Sequence, residues 1–377
     1  MYEDLFELEI NDKSGRTARI ATSAGKTKTP YIIPSRNEFS ALKESPHIEE
    51  EDINSFKIGN HVEWINKEKL HRLSDSQYYV QYAGYVQKKV REIPAIHKIL
   101  HFELQKDLTT MNEEQINILL TLQNDVEATF IEIPNLYTKW NYAEAIKISN
   151  QWRKNNNIDK PLMAIVTTND YIDTAIEYDE HIDSIGISLR KYDPHLLYNL
   201  KSKFKDTERQ KWIHALSTPR TYRQFDWTGT AGALINFYGI DTISFYVPHP
   251  MAIRNYVLQQ NDLNEEEKAE QASWTKYFNP MDYASNNYSE IEKQYGIDHR
   301  LSEFCHCSVC KKNTIDSITA DYEYTFYNTR AHDVMSNKNE SGLFQKSIEE
   351  GEAEAYINSK YYAKKFIQDN EQVELCS

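Results

Sequence analysis

Cysteine is scarce in this chain: there are four in 377 residues, and three of them fall in the stretch Cys305-His306-Cys307-Ser308-Val309-Cys310. A chain so poor in thiols has no general disulfide framework, and at this length it buries enough surface to fold without one. No apolar run approaches the roughly 18 residues of a membrane span. Nothing near the N-terminus reads as a signal peptide, so the expected location is the cytoplasm, with no membrane partner. An excess of positive charge is also missing. Lys and Arg number 43 against 57 Asp and Glu, a formal net charge of −14, which argues against indiscriminate phosphate binding. Local basic stretches persist at Lys201-Ser202-Lys203-Phe204-Lys205 and Lys311-Lys312, although ordinary solvated surface is the plainer account of both.

What is present is a globular composition, 40% hydrophobic and 27% charged. The 26 tyrosines and 6 tryptophans are many for this length. Such rings can stack on bases, though core and surface packing accounts for most. Phe6 to Ile10 alternates like a half-buried strand, and turn chemistry at Asn11 to Gly15 precedes a second strand from Thr17 to Thr22, an opening hairpin. Thr29 to Pro34 reads as a short buried strand bounded by prolines. Residues 35–110 give little periodicity, and Glu49-Glu50-Glu51-Asp52 reads as an exposed loop. From Asn112 onward helices and strands alternate. Strands are expected at Val126–Ile133, Leu162–Val166, Ile182–Leu189, Trp212–Leu216 and Asp241–Val247, with helices between them, including Gly229–Tyr238. More than 100 residues of such alternation predict a parallel sheet with crossover helices, and the length suits a (β/α)8 TIM-type barrel with its chemistry where the strands end. The expected organisation is a barrel over residues 1–300, with an insertion at about 255–303, and a helical subdomain over 301–377.

Three thiols within six residues call for a metal, because unpaired neighbouring cysteines are an oxidation liability. With His332 they make a Cys3His set in which one tight turn supplies three corners of a tetrahedron and a later segment the fourth, the pattern of Zn2+. A disulfide with one thiol left over is the alternative. With four protein ligands such a zinc is closed to water and substrate, hence structural.

In order along the chain, Ala18-Arg19-Ile20-Ala21-Thr22, Gly25, Thr29-Pro30, Leu122-Gln123-Asn124-Asp125-Val126, Trp140-Asn141-Tyr142-Ala143-Glu144, Gly239-Ile240-Asp241, the three cysteines, Asn328-Thr329, His332 and Ser347-Ile348-Glu349-Glu350-Gly351 together resemble the tRNA-guanine transglycosylase superfamily, whose members exchange guanine for a 7-deazaguanine derivative in tRNA or, in one branch, in DNA. The resemblance implies a TIM-type barrel, a structural zinc on Cys305, Cys307, Cys310 and His332, and a nucleic-acid partner.

Breaking a ribosyl N-glycosidic bond builds positive charge at the anomeric carbon, which a carboxylate can trap while a second carboxyl group manages protons. The resemblance places the first carboxylate at Asp75, in Asp75-Ser76-Gln77-Tyr78-Tyr79, where the glycines of the family's Asp-Ser-Gly-Gly-Phe are absent. It places the nucleophile at Ser244, where the family has Asp. Asp241, after a slip of the strand, and Asp282 are the substitutes. The positions that read the base are Ile131 with Glu132, Thr167-Thr168, and a loop shortened to Gly186–Arg190, so Glu132, Thr167 and Gly186 are the substrate-binding candidates. The expected function is a divergent transglycosylase. The alternative is a catalytically silent member that uses barrel and zinc as a scaffold, as a homodimer or as the partner of another subunit, and a barrel hydrolase unrelated to nucleic acid is a third reading.

Overall fold

The structure is a computed structural model that describes residues 6–11, 16–22, 25–136, 140–190, 193–205, 211–222 and 230–376. The strands, in chain order, are β1 (Phe6–Asn11), β2 (Arg16–Thr22), β3 (Gly25–Thr29), β4 (Tyr31–Ile32), β5 (Ile58–Ile65), β6 (His97–Leu104), β7 (Ile131–Ile133), β8 (Leu162–Val166), β9 (Ser184–Ser188), β10 (Trp212–Thr218), β11 (Thr221–Tyr222), β12 (Thr230–Ala231), β13 (Thr242–Phe245), β14 (Lys276–Asn279) and β15 (Ala284–Asn287).

The centre is a six-stranded, wholly parallel sheet in the order β4-β13-β10-β9-β8-β7. β5 and β6 form a separate parallel pair. Among the described residues the ladders do not close into one sheet. Single parallel bridges stand at the two gaps, Ser35 to Asn60 beside β4 and Ile99 to Phe130 beside β7, with the Asn60 amide donating to the Pro34 carbonyl at 2.9 Å and the Thr129 amide to the Lys98 carbonyl at 2.7 Å. Strands such as Leu162-Met163-Ala164-Ile165-Val166 are buried along their whole length, as strands covered on both faces must be. One set of side chains, including Ile133, Ala164, Ile185 and Ile243, packs with the surrounding helices. The alternate set, including Phe130, Met163, Ile165, Trp212 and Leu216, forms a second cluster.

The opening hairpin is present as antiparallel β1–β2, and β3 adds a third strand to it. Elsewhere the structure revises the sequence reading in local ways. The strand expected at Val126–Ile133 shrinks to Ile131–Ile133, because Val126 caps the helix Glu113–Asp125 and Glu127 turns into the left-handed region at φ 66°. The acidic stretch at 49–52 is the first turn of a short helix, Glu50–Asn54, where carboxylates complement the helix dipole. Where a helix is expected over Gly229–Tyr238, Gly229 lies outside the described residues, and β12 is followed by a 3-10 segment, Gly232–Tyr238.

The segment expected as an insertion carries two helices, Pro250–Asn261 and Glu265–Ser273, then the hairpin β14–β15, which joins β11 and β12 in a four-stranded antiparallel sheet, and the helix Tyr288–Tyr295. A 28-residue helix, Tyr322–Glu349, follows the cysteines. It stops in a Schellman turn, with Gly351 at φ 74° and the Glu352 amide donating to the Ser347 carbonyl at 2.7 Å. Two further helices, Ala353–Ser359 and Tyr361–Cys376, complete a helical C-terminal region. None of the described helices is long and apolar enough to cross a membrane.

Candidate functional site

The cysteine turn and the long helix meet where expected. The donor atoms of Cys305, Cys307, Cys310 and His332 all lie within 4.8 Å of one another, and all four residues are buried. His332 Nδ1 is 3.3 Å from Cys307 Sγ and 3.1 Å from Cys310 Sγ. A tetrahedron with Zn–S of about 2.3 Å and Zn–N of about 2.0 Å has S···N edges of about 3.5 Å, so the spacing accommodates such an ion. Three thiolates and one imidazole are also the soft donor set that a metal such as zinc takes. The other ring nitrogen, Nε2, lies 2.8 Å from the Phe278 carbonyl, to which it donates. That bond leaves Nδ1 as the free lone pair. Tyr277 stacks on the ring at 4.3 Å with an 8° interplanar angle, and its hydroxyl is 3.5 Å from Cys310 Sγ. The shell around the donors is therefore built from β14 as well as from the cysteine turn and the helix.

A second constellation lies at the C-terminal ends of the parallel strands. In β6, Leu100, Phe102 and Leu104 pack in a third cluster with Leu70, Val86, Val90 and Leu119 of the neighbouring helices, so His101 and Glu103 point to the opposite face. His101 Nδ1 is 2.7 Å from Glu132 Oε2 on β7, and its Nε2 is 3.5 Å from Glu103 Oε1. Glu103 also receives the Ser217 hydroxyl from β10 and the Arg190 guanidinium from just beyond β9. Burial works to lower the pKa of His101, but the Glu132 carboxylate, with Glu103, overrides it and raises it to about 10. For Glu103 the same opposition runs the other way. Burial would raise it, and His101, Arg190 and Ser217 hold it down at about 2. The His101 ring thus lies between two carboxyl groups, hydrogen-bonded to Glu132 and in a longer ionic approach of 3.5 Å to Glu103. Glu132 Oε1 is buried without a protein partner, an acceptor left over for a water or a ligand.

The expected catalytic positions are dispersed. Asp75 is exposed and is the N-cap of the helix Ser76–Arg91, accepting the Tyr78 amide at 2.7 Å. Asp241 is fully buried at the start of β13, where it accepts Arg16 Nε and a second guanidinium nitrogen, both at 2.9 Å, and the Ile213 amide at 2.7 Å. Burial raises its pKa to about 6 against the pull of Arg16. It ties the N-terminal sheet to the strand starts, away from their C-terminal ends. Asp282 accepts the Ala284 amide at 2.9 Å within the β14–β15 turn, and its carbonyl accepts the Tyr362 amide at 3.0 Å.

Ser244 lies on β13 with its hydroxyl 3.3 Å from His214 Nε2, and His214 Nδ1 is 2.8 Å from the Thr242 hydroxyl. Burial lowers the His214 pKa to about 3. So weak a base is poorly matched to the serine proton, and the group that holds its Nδ1 is Thr242 rather than a carboxylate, so the arrangement that activates a serine nucleophile is absent here. Of the base-reading candidates, Glu132 joins the His101 cluster. Thr167 follows β8 with its hydroxyl buried and unpartnered. Gly186 is packed shut, since a Cβ there would meet Ile165 Cδ1 at 2.5 Å and Leu216 Cδ1 at 2.9 Å.

The sequence reading passes over His101 and Glu103, whereas Arg190 and Ser217 fall just past 189 and 216, at the strand ends where a barrel places its chemistry. The signal was available in His97-Lys98-Ile99-Leu100-His101-Phe102-Glu103-Leu104, where large apolar residues hold the even positions from 100 onward and ionisable ones two of the odd. No family model matches the chain, and no curated protein matches it.

Proposed function

We propose that the eight parallel strands β4 to β10 and β13 act as a (β/α)8 barrel whose two seams, at the Ser35–Asn60 and Ile99–Phe130 bridges, are each held by a single bridge. In this reading the chain is a divergent transglycosylase that exchanges a guanine in tRNA or DNA for a 7-deazaguanine-type base, with a structural Zn2+ on Cys305, Cys307, Cys310 and His332. The observation that carries it is the pair of carboxylates, Glu103 and Glu132, set on either side of the His101 imidazolium on neighbouring strands. Retaining exchange at a ribosyl centre needs a carboxylate to trap the anomeric carbon and a proton donor beside it, and Glu103 with His101 supports both roles.

The roles follow from the charges. Glu103, held ionised at about 2, attacks the anomeric carbon as the departing base takes the electron pair of the glycosidic bond. The imidazolium of His101 gives its proton to that base while Glu132 supports the ring. The incoming base then returns a proton to His101, bonds to the anomeric carbon and releases Glu103. The test is incubation of the protein with tRNA or duplex DNA and labelled guanine or preQ0. Exchange is expected with one polymer, and Glu103→Gln is expected to abolish it. Absence of exchange with both, under conditions where an ordinary transglycosylase turns over, refutes this reading.

The second reading is a silent scaffold subunit, a homodimer or the partner of another chain. It is favoured by the structural employment of Asp75, Asp241 and Asp282 and by Ser244. A covalent ribosyl adduct trapped on Glu103 excludes it.

A further inference from the structure

Four residues apart on the long helix Tyr322–Glu349, Asp333 and Asn337 fall on one face, and both line a cavity of about 100 Å³. Its other walls include Phe245 at the end of β13, Thr221 of β11, and Phe278 and Ser285 of the β14–β15 hairpin. None of the His101 group lines it. The hydrogen bonds leave two bare acceptors on the helix side. Arg220, whose guanidinium carbon lies 4.8 Å over the Phe245 ring, gives one terminal nitrogen to Asp333 Oδ2 at 2.9 Å and the other to Glu38 Oε1. Asp333 Oδ1 is buried with no partner among the described residues. The Asn337 amide nitrogen donates to the Asp333 carbonyl at 2.7 Å, which settles which end of the amide is the oxygen. That oxygen is likewise buried and unpartnered among the described residues, on a residue only 4% exposed. Lys276, also on the cavity, sends its ammonium to the Ser285 carbonyl at 3.5 Å and leaves both acceptors as they are. Two buried acceptors without donors are costly. They call for a ligand that brings N–H groups.

We propose that this cavity binds the primary ammonium group of a small alkylamine: two of its three N–H donors go to Asp333 Oδ1 and Asn337 Oδ1, the third to the hydroxyl of Thr221 or Ser285, and its first carbons lie against Phe245 and Phe278. An –NH3+ head has the three donors that this wall can accept. A carboxylate oxygen also makes a stronger bond to a charged donor than to a neutral one. The volume holds about three non-hydrogen groups at about 30 Å³ each, the share of a water molecule in the liquid. A head and two carbons fit, and a head with methyl groups on the nitrogen does not present the donors. Lys276, which is exposed, and Arg220, whose side chain is 26% exposed, mark the solvent side of the cavity.

Calorimetry of the full chain at fixed ionic strength, with methylammonium, tetramethylammonium, acetamide and potassium as separate probes, tests the assignment. Methylammonium is expected to bind once per chain. Tetramethylammonium has the same charge and no N–H donor, and is expected not to bind. Acetamide has the donors without the charge and is expected to bind about tenfold more weakly or worse. Asn337→Leu keeps the size of the side chain and removes its oxygen, and is expected to weaken methylammonium by about tenfold or more. Ser341→Ala, one turn further along the same helix and off the cavity wall, is expected to leave the affinity unchanged. Thermal unfolding of each variant establishes that it is folded. Failure of methylammonium to bind overturns the proposal, as does tetramethylammonium, acetamide or potassium binding equally well. Methylammonium affinity that survives Asn337→Leu, or that falls equally with Ser341→Ala, overturns it too. No arm depends on base exchange, so the outcome is independent of the transglycosylase reading.

Discussion

Removing Arg16 tests whether Asp241 is a structural anchor, and the structure sets the size of the effect. At pH 7 an Asp241 with a pKa of about 6 prefers its ionised form to its acid by about 1.4 kcal/mol. That is the most Arg16→Ala can extract through charge, because beyond it the carboxyl takes up a proton. Two further losses do not depend on that charge. The guanidinium donates to the Lys211 carbonyl and lies 4.8 Å over the Phe6 ring, worth about 1 kcal/mol and about 0.5–1 kcal/mol. The sum is about 3 kcal/mol at pH 7, falling to roughly 1.5–2 kcal/mol at pH 5, where Asp241 is already protonated. Asp241 itself makes the wild type lose stability as pH rises from 3.8 to about 6, since the folded form holds that proton more tightly. Urea unfolding of wild type and Arg16→Ala at the two pH values is the assay. A loss that is equal at both, or larger at pH 5, refutes the reasoning. Asp241→Asn should leave base exchange intact, whereas loss of turnover in a folded variant returns Asp241 to the chemistry.

The purified protein should carry about one metal ion per chain by elemental analysis. Chelation or Cys310→Ser should unfold the cysteine turn and the adjoining helix, seen as new protease sensitivity near residue 310, because binding of order 10 kcal/mol rivals the whole stability of a domain. Asp75→Ala should lose about 1 kcal/mol of helix capping with exchange unchanged, and a collapse of activity in a folded variant would restore Asp75 as a reacting group. Ser244→Ala should likewise keep exchange, losing about 1 kcal/mol for one hydrogen bond. The His101 cluster should impose a stability plateau. His101 is raised from 6.5 to about 10, so its contribution is full below 6.5 and is lost as pH climbs through about 10. Glu103 is lowered from 4.5 to about 2, so its contribution is full above 4.5 and is lost as pH falls through about 2. Glu132→Gln should move the alkaline loss to lower pH, and an unmoved alkaline limb would show that Glu132 does not hold the imidazolium.

The sequence by itself determined the parts whose causes are local. Leu162–Val166 and Trp212–Leu216 read as strands because they are short, largely apolar runs within an alternation of helices and strands, and both are strands. Asn112 and Gln115 announce a helix start that the capping box confirms. The cysteine spacing places three donors in one turn. What local pattern cannot encode is which side chains share a face after the strands are laid side by side. His101, Glu103, Glu132, Arg190 and Ser217 are up to 116 positions apart, and each is unremarkable in its own window. Their juxtaposition depends on parallel register and on the inward turn of alternate residues in β6 and β7. The same tertiary logic places elsewhere the aspartates that the resemblance singles out, each in a local hydrogen-bonding role. A carboxylate at a helix start, at the foot of a strand or in a hairpin turn finds partners there and cannot also face the strand ends. Only packing over the whole chain decided which acidic residues cap and anchor local structure and which converge at the strand ends.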